Sequence, residues 1–235
     1  MIEQLRQRLQ ALQKPAGIED GPAALPLGIA AIDEALGGGL ARGALHEIAA
    51  ASEAHLAAAT GFALGLAARE QAHICWLAED MALAESGAPY GPGLDAFGLH
   101  PEHLLTVSAA RTRDLLWAME EALRCRAVGA VIGELRHGEI DMVTLRRLSL
   151  AAAESGALGL LLRCAPSTDA STAATRWIAG AAPNACFAVE LVRNRRGALG
   201  AWILEWSDSD ERFLLATHAQ PVAAPALDRP HQKVA

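Results

Sequence analysis

The residues of this chain that could do chemistry are two acids placed just after apolar runs, a scattered set of arginines and a few histidines. Glu79 follows His73-Ile-Cys-Trp-Leu77, and Glu134 follows Val128-Gly-Ala-Val-Ile132. An acid at the carboxyl end of a strand stands where an α/β sheet presents its ligands. It can act as a general base only beside a bound, correctly placed substrate. The arginines fall into four groups. Arg146-Arg147 sits on a helix whose Leu145, Leu148 and Leu150 are expected to face inward, and Arg163 ends an apolar strand. Arg176-Trp177 is read as part of the polar loop that starts at Ser167, and Arg193-Asn194-Arg195-Arg196-Gly197 is the only basic run. Arginine beside tryptophan suits a protein interface, where both are typical hot-spot residues. The pair also suits a core tryptophan with an arginine stem spread over apolar surface, or base stacking with single-stranded DNA. The formal charge of −7 puts the protein interface first and DNA third. The basic run reads equally as charge protection of a sheet edge and as a docking site for an acidic segment or a phosphate.

Other constellations carry less. His100-Pro-Glu-His103 has no third ligand nearby and is not spaced as H-E-x-x-H; His46-Glu47 also lacks the rest of that motif, so no metal site is expected. No Ser-His-Asp or Cys-His set is visible. Cys75, Cys125, Cys164 and Cys186 form no C-x-x-C pair and read as reduced thiols of a cytoplasmic protein. The N-terminal MIEQLRQRLQ is charged and is not a signal peptide, and no apolar run reaches membrane-spanning length.

The elements that must position these residues alternate. Ile2, Leu5, Leu9 and Leu12 recur at helical spacing, which predicts an amphipathic helix over residues 1–15. Its apolar face packs on its own domain or, through residues 1–14, on a neighbouring protomer. Residues 16–24 read as a linker, 25–217 as the core and 218–235 as a disordered tail. Strands are expected at 44–49, 73–77, 104–107, 128–135 and 157–163, and helices at 56–70, 113–124 and 142–155. Residues 81–93, rich in glycine and proline, read as a loop, with a short helix from Leu94 to Leu99. Continuous apolar strands separated by helices indicate a parallel sheet buried on both faces. Strand-like runs at 187–195, 201–206 and 212–217, joined by short turns, indicate an antiparallel meander added to its edge.

Residues Leu25 to Ile48 resemble the approach to the phosphate-binding loop of RecA-like recombinases, with Gly28-Ile-Ala-Ala-Ile-Asp33, the Gly37-Gly38-Gly39 turn and Arg42-Gly43 before a strand. In that register the loop G-x-x-x-x-G-K-[ST] falls on Ala50 to Ala57. Ala50 and His55 replace the glycines, Leu56 the lysine and Ala57 the hydroxyl residue, while Glu53 adds a negative charge. Such loops work through converging backbone N–H groups, a lysine and a magnesium-binding hydroxyl. The resemblance places Glu79 where a glutamate polarises the attacking water and Glu134 where an acid assists magnesium. Without the cradle, ATP turnover and a nucleotide cofactor are not expected. Narrower phrases occur in order: Leu45-His46-Glu47, Ala58-Ala-Thr-Gly-Phe-Ala-Leu64, Trp117 with Glu120-Glu121-Ala122-Leu123, Arg146-Arg147-Leu148, Ala151-Ala-Ala-Glu-Ser-Gly156, Thr175-Arg176-Trp177, Glu190-Leu-Val-Arg-Asn-Arg195 and Glu205-Trp206. Together they are similar to the ImuA family, RecA-like and SulA-like accessory proteins of translesion mutasomes. That resemblance implies a RecA-like α/β fold and a non-catalytic role in damage-induced mutagenesis. The implied partners are ImuB, an inactive relative of Y-family polymerases, an error-prone replicative-type polymerase, and RecA. A RecA-like ATPase or DNA-binding paralogue and a SulA-type division inhibitor are the alternatives on the same scaffold.

Overall fold

The computed structural model describes residues 24–216 apart from Gln71 and His137. The helix expected over 1–15 and the tail expected over 218–235 lie outside the described residues. Ala24, read as the last linker residue, opens the first strand, β1 (Ala24–Leu25).

Helix α1 (Ala30–Leu36) and β2 (Leu40–Ala41) follow, then β3 (Ala44–Ala50), a single 3-10 turn (Glu53–His55) and α2 (Leu56–Ala67). The series continues through β4 (His73–Glu79), α3 (Asp80–Ser86), α4 (Gly91–Asp95), β5 (Leu104–Ala109), α5 (Thr112–Arg124), β6 (Val128–Leu135), α6 (Met142–Ser155) and β7 (Leu158–Arg163). It ends with β8 (Thr175–Ala182), β9 (Cys186–Asn194), β10 (Gly200–Ser207) and β11 (Arg212–Leu215). Strands β3 to β11 form one sheet in the order β11-β10-β9-β8-β3-β7-β6-β4-β5. Every neighbouring pair from β8 to β5 is parallel, and β8-β9-β10-β11 is antiparallel. The expected α/β sheet with an antiparallel C-terminal extension is the fold observed.

The periodicities explain the layers. Strands β4, β6 and β7 are mostly apolar without alternation, β3 is so apart from buried His46 and Glu47, and all four are covered on both sides. Helix α2 is buried around its whole circumference from Gly61 to Ala67, as a helix apolar on every side must be. Glycine is required on it: a Cβ at Gly65 would run into the Phe213 and Trp206 rings, and one at Gly61 would press on Phe187 and Phe97. Those rings, with Phe62 and Trp177, form a stack on this side; Phe62 lies 5.4 Å from Trp177 and 5.5 Å from Phe213 between centroids. Helices α5 and α6 cover the opposite face through Leu115, Met119, Leu123, Leu145 and Leu148. Leu150, expected to face inward, is exposed instead, because it lies on the outer side of α6 with Arg146 and Arg147.

Three stretches differ from expectation. Residues 80–86 form α3 and not a loop, since Met81-Ala-Leu-Ala-Glu85 is a run of good helix formers that ends only at Gly87. The short helix placed at 94–99 is α4, which starts earlier and ends at Asp95. The larger difference is β8. Residues 167–175 were read as a loop carrying Arg176-Trp177, but that pair opens a strand inserted next to β3.

The connection from β7 to β8 carries no helix. Arg163 lies level with Ala49, whereas Thr175 lies level with His46, so residues 164–174 cross back over the sheet as an extended strap. The hydroxyls of Ser149 on α6 and Thr172 on the strap are hydrogen-bonded at 2.8 Å, and Ala174 N–H donates to Leu45 O at 2.7 Å.

Buried His46 fixes the other side of β3. Its Nε2–H donates to Ala41 O (2.9 Å), so Nδ1 accepts from the Thr175 hydroxyl (2.7 Å), whose oxygen accepts from Trp177 Nε1–H (2.8 Å). Burial pushes the His46 pKa down to about 4. The unfolded chain therefore takes up this proton first as pH falls. Stability from this site is complete above the unfolded value of 6.5 and declines as pH falls towards 4. The total loss is about 3 kcal/mol. Urea midpoints should fall between pH 7 and pH 4.5, and His46→Gln should flatten that slope. An equal slope in both proteins would remove His46 as its source.

Candidate functional site

The carboxyl edge of the sheet gathers the residues expected to form a nucleotide site, and only some of them meet. Leu56, Ala57 and Glu134 line one cavity of about 610 Å³. Ala50 is buried at the end of β3 and does not line it. His55 turns away; its Nδ1 accepts from the backbone N–H of Ala181 at 2.9 Å. Glu79 accepts a hydrogen bond from the Thr112 hydroxyl and does not line the cavity.

Two amides of the loop between β3 and α2 are engaged within the protein. Ala51 N–H donates to Ala179 O at 2.8 Å and His55 N–H to Ser52 O at 2.9 Å. No residue from 50 to 57 has positive φ. An anion nest needs successive N–H groups turned to one point through alternating right- and left-handed residues, and this backbone does not have that form. Glu134, 7% exposed, is held by Arg136, whose Nε donates to its Oε1 at 3.2 Å. Arg136 also reaches Glu85 at 3.2 Å and donates to the Ser86 hydroxyl. The acid expected to assist a metal is thus neutralised by a guanidinium. The remaining cavity wall is mostly apolar, including Leu64, Leu83, Leu94 and Phe97. Sequence reading missed Arg136 and Trp76, although Arg136 stands next to the strand that carries Glu134. Trp76 is 5% exposed, lines the cavity, and its Nε1–H is buried without an acceptor.

The arginines do not form one patch. Arg176 and Trp177 are corrected from contact residues to structural ones. Successive residues of a strand point to opposite faces. Trp177 is 0% exposed in the stack against Phe62, and Arg176 points to the strap side. There its Nε donates to Glu47 Oε2 at 2.8 Å, and Nη1 and Nη2 donate to the carbonyls of Ser167 (2.8 Å) and Asp169 (2.9 Å). Ser171 donates its hydroxyl to the other Glu47 oxygen. Both charges are nearly sealed, with side chains 13% and 5% exposed.

Arg163 ends β7 at the carboxyl edge and donates to Gly138 O at 3.3 Å. Arg193, half-buried, faces Arg176 in register on β9. Arg195 and Arg196 are exposed in the β9–β10 turn near the other end of the sheet. Asn194 anchors that turn, donating to Ala35 O at 2.7 Å and Ala198 O at 3.0 Å. Among the described residues, Arg193, Arg195 and Arg196 form no ion pair. Arg146 is exposed; Arg147 pairs with Glu120 and lines a second cavity of about 530 Å³ between α5 and α6. Trp117, 61% exposed, lines the same cavity. Sequence alone does not mark it as a contact, because nothing local says which face of α5 a single tryptophan occupies. No group of three or more acids, histidines or cysteines fit to hold a metal exists among the described residues. No described helix is long and apolar enough to cross a membrane.

No protein-family model matches the chain. The crystal structure of the RadB recombinase superposes with a TM-score of 0.59 at 13% identity, over 80% of this chain and 98% of that one, which shows a shared recombinase fold. Protein ImuA of Caulobacter vibrioides (strain NA1000 / CB15N) is 29% identical over 196 residues, 72% of this chain and 77% of that protein. Protein ImuA of strain ATCC 19089 / CIP 103742 / CB 15 of the same species matches with the same figures. The phrases that resembled the ImuA family and the RecA-like sheet therefore agree: the chain is a relative of ImuA built on a RecA-like recombinase fold.

Proposed function

We propose that this protein is a non-catalytic accessory factor of damage-induced translesion DNA synthesis. It acts by contacts with ImuB, the error-prone replicative-type polymerase and RecA. The relationship to ImuA carries the reading. The site geometry supports the absence of turnover: the place of the phosphate cradle holds leucine and alanine, its backbone lacks the left-handed residues of an anion nest, and Glu134 is tied to Arg136. Hydrolysis needs a cradle that clamps the phosphate beside the acids, and the cradle residues are the ones replaced here.

Two surfaces have the chemistry of protein contacts. One is Trp117 with Arg147 over the cavity between α5 and α6, an aromatic and an arginine of the kind that dominates interface energetics. The other is the Arg193, Arg195 and Arg196 turn. Recruitment through such surfaces would not depend on nucleotide.

The deciding experiment is the damage-induced mutation frequency of a strain lacking this protein. Collapse to the uninduced level, restored by the wild-type gene and not by one with Arg193, Arg195 and Arg196 reversed to glutamate, is the expected result. The reversed protein should still unfold cooperatively in urea, because among the described residues these side chains have no ion pair and Arg195 loses only its bond to Ser171 O (3.4 Å). Normal induced mutagenesis in the deletion strain would overturn the function. Filamentation on overexpression would favour a division inhibitor instead.

A further inference from the structure

We infer that the 610 Å³ cavity at the carboxyl edge is an anchor socket for a partner peptide carrying a bulky apolar side chain beside a basic residue. This rests on the reading of the chain as a partner-binding protein and names the chemistry of one contact. Three observations carry it.

The first is the shape and lining. Helix α2 contributes Leu56, Ala57 and Leu64, and the α3–α4 region contributes Leu83, Leu94 and Phe97. This is enough apolar wall to strip water from a phenylalanine- or leucine-sized group. Tyr90, 73% exposed, lines the same cavity.

The second is the indole of Trp76. A buried N–H without an acceptor is costly to leave unmade. Trp76 forms part of the wall, and an acceptor on an occupant reaches the covered Nε1 only by displacing the side chain over it. A peptide carbonyl is such an acceptor and comes with every residue of a segment.

The third is charge. Glu53 and Glu134 line the cavity, and Glu85 shares Arg136 with Glu134, so two carboxylates meet one guanidinium and Glu53 adds a third negative charge. Glu53 has no ion pair among the described residues. The surplus of two negative charges disfavours a phosphate or an acidic segment and draws a cation to the rim. An apolar anchor with a neighbouring arginine or lysine meets all three conditions.

The test follows the tryptophan indole N–H signals of the uniformly ¹⁵N-labelled full chain by NMR, of which there are five, with Trp76 assigned through Trp76→Phe. The probes are acetyl-Arg-Phe-amide, acetyl-Glu-Phe-amide, ADP and inorganic phosphate. Acetyl-Arg-Phe-amide should shift the Trp76 signal saturably. Acetyl-Glu-Phe-amide should bind roughly two- to fivefold more weakly, and Glu53→Lys should abolish that difference. Ala57→Phe fills the socket from an exposed helix position and should weaken binding roughly tenfold. An unmoved Trp76 signal, a shift caused by ADP or phosphate instead, or binding unaffected by Ala57→Phe would each overturn the socket. The measurement uses purified protein alone, so its failure leaves the mutagenesis result standing. An unchanged mutation frequency would in turn remove the cellular role without altering this titration.

Discussion

Arg176→Ala is expected to cost roughly 3–5 kcal/mol of folding stability, because it leaves Glu47 buried as an unpaired charge. Glu47 lies on a central strand, 4% exposed, and has two partners, Arg176 and the Ser171 hydroxyl. The same substitution removes the donors that hold the carbonyls of Ser167 and Asp169, so the strap loses its fastening as well. Glu47→Ala should cost a similar amount by stranding the guanidinium. Glu47→Leu combined with Arg176→Met should cost less than the two single replacements together, since a matched apolar pair leaves no buried charge. Urea unfolding of the wild type, Glu47→Leu, Arg176→Met and their combination gives the coupling directly. If Arg176→Ala unfolds like the wild type and loses only partner or DNA affinity, the residue is a contact and the ion pair is incidental.

Trp177→Ala should be comparably severe, at roughly 3–5 kcal/mol, from lost burial and the cavity left behind. The ring is completely enclosed and lies 5.4 Å from Phe62 and 6.1 Å from Trp202. Its indole also donates to Thr175, which in turn bonds His46, so the hydroxyl loses a donor at the start of β8. Trp177→Phe keeps most of the volume and the His46–Thr175 bond, and should cost markedly less. Urea unfolding followed by far-ultraviolet circular dichroism measures both. A Trp177→Ala protein with wild-type stability and weakened partner binding would restore the interface reading of that residue.

These two residues show what the sequence can and cannot display. Arg176-Trp177 reads as a unit because the residues are adjacent, and adjacency in a strand separates them to opposite faces. The strand itself was hard to see. Its core, Ile178-Ala-Gly-Ala-Ala182, has one β-branched residue and a glycine, and it follows a run of Ser, Thr and Asp that signals a loop. The partner that fixes Arg176, Glu47, is 129 residues away, and no local pattern announces that distance. The parallel core was legible because β3, β4, β6 and β7 are continuous apolar runs between helices, and the meander because its turns are short and polar. Helix α3 was hidden by the Gly87, Pro89 and Gly91 cluster that ends it. At the candidate site, the substitutions of the loop were visible residue by residue. The pairing of Glu134 with Arg136, two positions on, depends on where the chain turns after β6.

The helix-free strap also sets a schedule for the ribosome. Strand β3 is made early, yet its flanking strands β7 and β8 are among the later ones, and the His46–Thr175 contact spans 129 residues. At roughly 5–20 residues per second, that span takes about 6–26 s to synthesise. Until β7 is made β3 has no sheet partner, and until β8 follows one of its edges stays open, and an open strand edge is a template for aggregation. A message truncated before codon 175 would yield a chain with β3 open on the side that β8 seals. Slow translation across the strap would prolong the same exposure in the intact protein.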